Sequence, residues 1–411
     1  MVTFLYLYNF VYLRQNINSS LLVNIYNKKK IFTNDELVNN ILHRVEKNKL
    51  TYNGCVLTKE ECSHPEVKLF LKNIVDDSFG GLIETNRNEF PVQFPAEIFI
   101  KSYTEKDKEL ALSYNIGDRK TNKRMKSYLE RVSENLFSNF VTLTVYVGYS
   151  TISIYKNVSN QYLFPTYSEK KELCQNRDIV NWIGSHIPVR VNLVIGEITD
   201  IQEVNDLILS GVEQINLYMF EDVFKAYRDL LVLKDNCMIN VWKLFPGKID
   251  ENGILNVSYY FLVENEKDIV EQEKYGYNDN VYIVPFYNGK NFAFCKKYLS
   301  FSYKEILNLI DTDYCFRANR ILNSSMFGDI RIMSDGNIYT NINKLALGNV
   351  FDFSLRDILF IEITKVRNWF ETRRDVKPCC NCLYSDLCPP ISDFENFSKK
   401  YKLCRNFSNL K

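Results

Sequence analysis

The sequence predicts an α/β fold, with a parallel sheet or partial (β/α) barrel between an N-terminal winged-helix-like domain and a cysteine-rich C-terminal domain. Three observations lead to this prediction. The first 85 residues combine short apolar strands with capped helices, and the middle of the chain alternates strands with helices. Five of the 11 cysteines lie in the last 33 residues. A chain of 411 residues is long enough for two or three such domains.

The composition excludes several classes of protein. Hydrophobic residues make up 46% of the chain, which excludes a wholly disordered protein. The net charge of +1 gives no overall attraction to nucleic acid, so no nucleic-acid partner is predicted. The apolar start of the chain lacks a basic region and a cleavage site, and no apolar run is long enough for a bilayer. We therefore expect a cytoplasmic location, no membrane partner and reduced cysteines.

The N-terminal domain is predicted to span residues 1–85. Three short apolar stretches, 4–13, 21–26 and 31–32, are separated by Asn, Ser and Lys and predict a small antiparallel sheet. Capping boxes then predict about three helices, and these begin at Thr33, Thr58 and Ser63. A small sheet followed by three helices is typical of a winged-helix-like domain.

A connecting region, 86–140, leads to a central domain that is predicted over 141–320. Repeated β-α units indicate a parallel sheet or partial barrel, with its functional face at the C-terminal ends of the strands. The predicted strands are 141–147, 189–195, 214–220, 237–244, 257–262, 281–286 and 292–294. The predicted helices are 178–185, 200–209, 221–233, 264–274 and 303–310.

The C-terminal domain is predicted over 321–411. It opens with a hairpin whose turn is Ser-Asp-Gly at 334–336, and a helix capped by Ser354 follows. Cysteines then recur with C-x2-C and C-x5-C spacing, which lets thiolates converge on zinc or an iron–sulfur cluster. The candidate ligands are Cys379, Cys382, Cys388 and Cys404. The alternative is a vestigial knuckle of reduced, buried cysteines, and the adjacent Cys380 is expected to be a spectator.

The span 328–388 resembles the SPASM domain of radical SAM enzymes that modify ribosomally made peptides. That family combines a strand–Asp-Gly–strand hairpin, a Leu-Gly-Asn segment, a Ser-Leu-x-x-Ile helix and the same cysteine spacing. The matching residues are Gly328, Asp335, Gly336, Leu347, Gly348, Asn349, Ser354, Leu355, Ile358, Cys379, Cys382 and Cys388. The string at 387–395 resembles most the SPASM-like maturases of Bacteroidetes peptide systems, which include pseudo-radical-SAM proteins and partners of ATP-grasp ligases.

The resemblance implies roles for the other two domains. The central repeats are similar to the partial barrel of radical SAM enzymes, and Gly196 and Glu197 resemble a degraded SAM-contacting turn, although a plain strand-to-loop turn also fits. The first domain resembles the PqqD-like element that binds leader peptides by strand addition. The candidate peptide-accepting edge is Leu21, Leu22, Val23, Ile25 and Tyr26. An ordinary hairpin packed on its own helices explains the composition of this stretch equally well.

The sequence departs from the family where the catalytic cluster belongs. Radical SAM enzymes hold a 4Fe–4S cluster with a C-x3-C-x2-C motif just after the first barrel strand, and such a cluster needs thiolates. The corresponding stretch, 148–162, contains no cysteine. Thr340 and Asn341 also follow the hairpin tyrosine, where the family places a cysteine. Hence neither a catalytic 4Fe–4S cluster nor SAM cleavage is expected.

Three functional hypotheses follow. The first is a pseudo-enzyme that binds a ribosomal precursor peptide and presents it to a partner maturase, either a radical SAM enzyme or an ATP-grasp ligase. The second is an active peptide maturase with non-radical chemistry, in which Glu197 or a C-terminal metal takes part. The third is a structural subunit whose tail is a zinc knuckle for a partner protein.

Overall fold

A computed structural model describes residues 2–48, 53–86, 136–148, 176–196, 202–207, 211–231, 235–244, 257–275, 280–309, 318–401 and 404. Most of the predicted connecting region, the cysteine-free stretch after residue 148 and Glu197 lie outside these residues.

The N-terminal region forms two three-stranded antiparallel sheets and three helices. Its strands are β1 (Val2–Leu7), β2 (Val11–Gln15), β3 (Ser20–Asn24), β4 (Lys30–Thr33), β5 (Gly54–Leu57) and β6 (Gly80–Thr85). Its helices are α1 (Glu36–Lys47), α2 (Lys59–Ser63) and α3 (Pro65–Asp76). The strand orders are β5-β1-β6 and β2-β3-β4, so the region holds two small sheets where the sequence predicted one.

The helix starts confirm one predicted cap and shift two. Thr58 and Glu61 form the predicted capping box of α2. Asp35, and not Thr33, caps α1, because Thr33 is still paired with Ser20 as the last residue of β4. Ser63 closes α2 and is not a cap, so α3 begins at Pro65 without a capping side chain.

The central and C-terminal regions share one nine-stranded sheet in the order β12-β11-β10-β9-β8-β7-β13-β14-β15. Its strands are β7 (Thr142–Val147), β8 (Arg190–Ile195), β9 (Gln214–Phe220), β10 (Cys237–Lys243), β11 (Val257–Val263), β12 (Val281–Pro285), β13 (Asp329–Ile332), β14 (Asn337–Tyr339) and β15 (Gly348–Asn349). The strands β7 to β12 are parallel and lie in chain order, which confirms the α/β prediction. Over the described residues the sheet is open, with β12 and β15 at its edges, and it does not close into a barrel.

Helices follow most of the parallel strands. They are α4 (Asn176–Ile183), α5 (Gln202–Asp206), α6 (Glu221–Tyr227), α7 (Glu266–Glu273), α8 (Phe292–Leu299) and α9 (Tyr303–Leu309). Two more helices, α10 (Leu355–Ile361) and α11 (Asp393–Ser398), lie in the C-terminal region. No helix in the described part of the chain is long and apolar enough to cross a membrane. The predicted strand at 292–294 is wrong, because these residues form the first turn of α8. Phe292 and Cys295, three residues apart, share a cluster with Phe394.

The predicted C-terminal hairpin is confirmed as β13 and β14. Gly336 adopts φ +80° in its turn, a left-handed conformation that favours glycine. The strand β13 pairs in parallel with β7, so the hairpin extends the central sheet. The predicted capping box of Ser354 and Asp357 is confirmed at the start of α10.

Candidate functional site

The four predicted metal ligands lie around one small cavity. Cys379, Cys382, Cys388 and Cys404 all line a space of about 30 Å³. Short turns place them, beginning with the 3-10 turn Cys379–Asn381. Cys380 is not among the residues that line the cavity. The structure thus brings the four predicted cysteines together and leaves their neighbour outside.

The chemistry of these thiols matters because metals bind thiolates. Burial raises the pKa of the Cys379, Cys382 and Cys388 thiols above the ordinary value. The guanidinium of Arg373 opposes this shift at each of them, since a nearby positive charge favours the thiolate. Burial therefore favours the neutral thiol at these three positions, while Arg373 favours the thiolate that a metal would bind.

The donor set of four cysteines fits a soft metal such as zinc. Within the described residues, however, no group of three or more His, Cys, Asp or Glu side chains is arranged to hold a metal ion. The thiols share a cavity without converging on one point. The zinc or iron–sulfur site therefore stays a prediction of the sequence.

A buried ion pair organises the part of the chain from residue 373 to residue 404, which we call the cysteine-rich tail. The guanidinium of Arg373 donates to both carboxylate oxygens of Glu395, at 2.8 and 3.0 Å. It also donates to the backbone carbonyls of Pro389 and Pro390, and its Nη1 lies 3.9 Å from the sulfur of Cys379. One side chain thus connects the start of the cysteine run, the segment after it and α11.

The tail also covers one face of the sheet β2-β3-β4. The hydroxyl of Tyr12 donates to the carbonyl of Leu383 at 2.7 Å, and Arg14 Nη2 donates to the carbonyl of Cys380 at 3.0 Å. One apolar cluster contains the residues Tyr12, Leu21, Val23, Ile25, Ile306, Leu307, Leu383, Tyr384 and Leu387. The cysteine-rich segment is therefore part of the core of this N-terminal sheet.

The predicted peptide-accepting edge is wrong. The strand β3 lies in the middle of its sheet and pairs with β2 on one side and β4 on the other, so it has no free edge. Leu22 faces the N-terminal core, whereas Leu21, Val23 and Ile25 face the tail. Of the five predicted residues only Tyr26 is exposed, and it follows the strand. Apolar residues follow one another along β3 because both faces of this strand are buried, and they do not mark a binding edge.

A larger cavity lies on the nine-stranded sheet. Helices cover one face, where Leu143, Val145 and Leu193 are buried. The other face, which we call the inner face, carries the side chains that point the opposite way, among them Thr144, Tyr146, Asn192, Val194, Tyr218 and Trp242. A cavity of about 480 Å³ opens on the inner face, a size typical of ligand sites.

Hydrogen-bonded polar side chains cross the inner face from strand to strand. The amide of Asn216 donates to Asn192 Oδ1 at 2.8 Å, and the amide of Asn192 donates to the hydroxyl of Thr144 at 3.2 Å. That hydroxyl donates to Asp329 Oδ1 at 2.9 Å. Four neighbouring strands are joined by side chains, which fixes the orientation of each group.

Three charged residues continue this chain of contacts. Arg331 Nε donates to Asp329 Oδ2 at 2.7 Å, and its Nη1 donates to Asp393 Oδ2 at 3.1 Å. Burial alone would lower the pKa of Arg331, but the carboxylates of Asp393 and Asp329 raise it well above its usual range. The Oδ1 atom of Asp393 is buried and accepts no hydrogen bond from the described residues. We call these three residues the charged triad.

The inner-face cavity was not predicted from the sequence. A signal was present in three successive strands, where Asn192, Asn216 and Asn240 each interrupt an apolar run in the contexts V-N-L, I-N-L and I-N-V. Asn192 and Asn216 lie opposite each other, and Asn240 lies two residues further along the next strand on the same face. Polar residues that recur in this way within neighbouring buried strands indicate a polar layer on one face. No comparable signal marks Asp329, Arg331 or Asp393, because they come together only through folding.

The predicted cofactor turn is described only in part. Gly196 directly follows β8, and its N–H donates to the carbonyl of Val147 at 2.8 Å. Glu197 lies outside the described residues. A contact of this turn with SAM stays a prediction.

Comparison with known proteins gives a limited result. No family model matches the chain, and no curated protein matches it. Two solved structures of SuiB from Streptococcus suis are similar over nearly the whole length. The one bound to precursor peptide SuiA has 13% identity and a TM-score of 0.41, and covers 98% of this chain and 99% of that chain. The one bound to S-adenosylmethionine has 11% identity, a TM-score of 0.35 and the same 98% and 99% coverage. Values this low do not establish a shared function.

Proposed function

We propose that this protein binds a ribosomally made precursor peptide and presents it to a partner maturase without cleaving SAM. One observation carries the proposal. Six parallel strands follow one another in the order typical of a partial radical SAM barrel, and the sequence after the first of them, 148–162, lacks every cysteine that a catalytic cluster needs. The SPASM-like hairpin beside that first strand supports the same lineage.

The peptide is proposed to bind by strand addition at β4, in place of the buried strand β3. Within the described residues β4 pairs only with β3, so its other side is available to an added strand. The strand β2 is the other edge of this sheet, but its first three residues are buried. Every residue of β4 is at least partly exposed. The more accessible edge is therefore β4.

The register identifies which backbone groups of β4 face outward. The N–H of Asn24 donates to the carbonyl of Lys29 at 2.9 Å, so these two residues form a hydrogen-bonded pair. Hydrogen-bonded and non-hydrogen-bonded pairs alternate along an antiparallel ladder. Phe32, opposite Leu21, falls in a non-hydrogen-bonded pair, so its N–H and C=O point away from β3. These groups would bond to the peptide.

We expect Phe32→Pro to weaken peptide binding about tenfold relative to Phe32→Ala. Both variants lose the aromatic side chain, but only proline also removes the outward N–H, which costs about 1 kcal/mol or more. The measurement is a titration of a synthetic leader peptide, taken from a short reading frame beside the gene. If the two variants bound the peptide with equal affinity, β4 would not be the binding edge.

The absence of SAM cleavage is tested separately. Anaerobically reconstituted protein, supplied with SAM, a reductant and the precursor, is expected to release no 5′-deoxyadenosine. Detection of that product would disprove the pseudo-enzyme proposal. A modified precursor without 5′-deoxyadenosine would favour the second hypothesis, an enzyme with non-radical chemistry.

The tail metal has its own test, in which the chain supplies a matched control. If the cysteines bind zinc or iron, protein purified without oxygen contains that metal, and Cys382→Ser loses most of it. Cys380→Ser is expected to keep the metal, because Cys380 does not line the shared cavity. Metal-free wild-type protein would mean that the cysteines form a vestigial knuckle.

A further inference from the structure

The charged triad on the inner face leaves one negative charge uncompensated. Asp329 and Asp393 supply two carboxylates, and Arg331 between them supplies one guanidinium. Arg331 and Asp329 are almost completely buried, whereas the side chain of Asp393 is 28% exposed where it lines the cavity. Burying an unbalanced charge is costly unless a partner is supplied.

The unmatched charge is located at the cavity. Both oxygens of Asp329 accept hydrogen bonds, one from Thr144 and one from Arg331. Asp393 differs, because its Oδ2 accepts from Arg331 while its buried Oδ1 accepts nothing from the described residues. Asp393 also lines the cavity of about 480 Å³. The oxygen without a partner and the excess charge therefore occur on the same side chain.

The rest of the lining indicates what would complete this site. Tyr218 and Trp242 line the cavity with ring centroids 5.7 Å apart, and Tyr146 is buried beside them. Aromatic faces attract cations and cover the methylenes of an alkyl chain. Arg190 also lines the cavity, but it is exposed and donates to Gln214 Oε1 at 2.9 Å, so solvent screens its charge.

We propose that the inner-face cavity binds an organic cation, an ammonium or guanidinium group on an apolar stem, with Asp393 Oδ1 as its acceptor. An anion would meet the excess negative charge of the charged triad. A neutral apolar group would leave Asp393 Oδ1 without a donor. The cavity is large enough for a lysine or arginine side chain together with adjacent backbone. This site is separate from β4, so the two proposals can fail independently.

The first experiment compares two ligands that differ only at the cationic group. N-acetyl-L-lysine amide and N-acetyl-L-norleucine amide are titrated into the full chain, with tryptophan fluorescence and ligand-observed NMR as readouts. The lysine compound is expected to saturate at millimolar concentration or below, at least tenfold tighter than the norleucine compound. Equal binding of the two, or no saturable binding of the lysine compound, overturns the proposal. Putrescine, as a third ligand, distinguishes a free amine from a peptide side chain as the source.

The second experiment changes the acceptor. Asp393→Asn keeps an oxygen for Arg331 but removes the excess charge, so the preference for lysine over norleucine is expected to fall about tenfold. Asp352→Asn, at an exposed aspartate outside the cavity, is the control and is expected to leave that preference unchanged. If Asp393→Asn folds and retains the full preference, the assignment of Asp393 is wrong. If Asp393→Asn does not fold, the comparison of the lysine and norleucine compounds on the wild-type chain still tests the proposal.

Discussion

Arg373→Ala is expected to lower the free energy of unfolding by about 3 to 5 kcal/mol, the range for one partner removed from a buried ion pair. The side chains of Arg373 and Glu395 are 7% and 1% exposed, so the buried carboxylate of Glu395 would lose its only cationic partner among the described residues and keep just the hydrogen bonds from Ser392. The carbonyls of Pro389 and Pro390 would lose a donor at the same time. Chemical denaturation, followed by circular dichroism, measures the loss.

Two further variants separate the ion pair from general damage. Lys297→Ala removes a pair whose side chains are 59% and 57% exposed, and it is expected to cost less than about 1 kcal/mol. Arg373→Met combined with Glu395→Gln leaves no buried charge unpaired, so the double variant is expected to be more stable than Arg373→Ala. A cost for Arg373→Ala no greater than that for Lys297→Ala would contradict this account of the tail.

The stability of the protein is expected to fall as the pH rises from about 4.5 to about 7, because of Glu362. This residue is completely buried in the π-helical turn Glu362–Val366. Its carboxylate accepts from the hydroxyl of Thr340 at 2.6 Å and from the N–H of Trp369 at 2.7 Å. Burial nevertheless raises the pKa of Glu362 to about 7, since those two bonds only partly offset the loss of hydration.

The direction in which Glu362 changes the stability with pH follows from proton linkage. A carboxyl group whose pKa is higher in the folded state holds its proton more tightly when folded. The contribution of Glu362 to the free energy of unfolding is fully present below the pKa that the group has in the unfolded chain. It is lost as the pH rises through the pKa of about 7 that the group has in the folded protein. A shift of this size corresponds to about 3 kcal/mol at most. The same group makes the chain less stable at pH 8 than at pH 5.

Glu362→Gln tests this assignment directly. The variant is expected to lose most of the difference in unfolding free energy between pH 5 and pH 8, because glutamine does not titrate. Glu266→Gln is a suitable control, since Glu266 is exposed and paired with Lys297, and neither residue contributes to the pKa shift of Glu362. It is expected to keep the pH dependence of the wild type. If the unfolding free energy of Glu362→Gln changed with pH as steeply as that of the wild type, another group would be responsible for the pH dependence.

Local patterns in the sequence predicted the parts of the fold that depend on local structure. The Ser-Asp-Gly turn before Asn337 and the capping box at Ser354 each lie within a few residues, and both are present. The apolar stretch at 21–26 was correctly predicted to contain a strand. Its place in the middle of the sheet was not predictable, because an apolar run does not say which strands lie beside it.

The two candidate sites also differ in whether local sequence patterns predict them. Cysteine spacing predicted that Cys379, Cys382 and Cys388 would lie together, because short loops limit their separation, and Cys404, further along the chain, lines the same cavity. The charged triad joins β13 to α11, which lies 62 residues from Arg331 along the chain. Such a contact depends on the whole tertiary structure. Only the asparagines in three successive strands gave a sequence signal for that surface.

The contact between the tail and the sheet β2-β3-β4 affects how the chain folds during synthesis. Tyr12 donates to the carbonyl of a residue 371 positions later in the sequence. At translation rates of about 5 to 20 residues per second, β2 and β3 emerge from the ribosome about 20 to 75 seconds before the segment that covers them. During that interval Leu21, Val23 and Ile25 lack their final partners. The nascent chain is therefore expected to expose this apolar face until the cysteine-rich segment has been made.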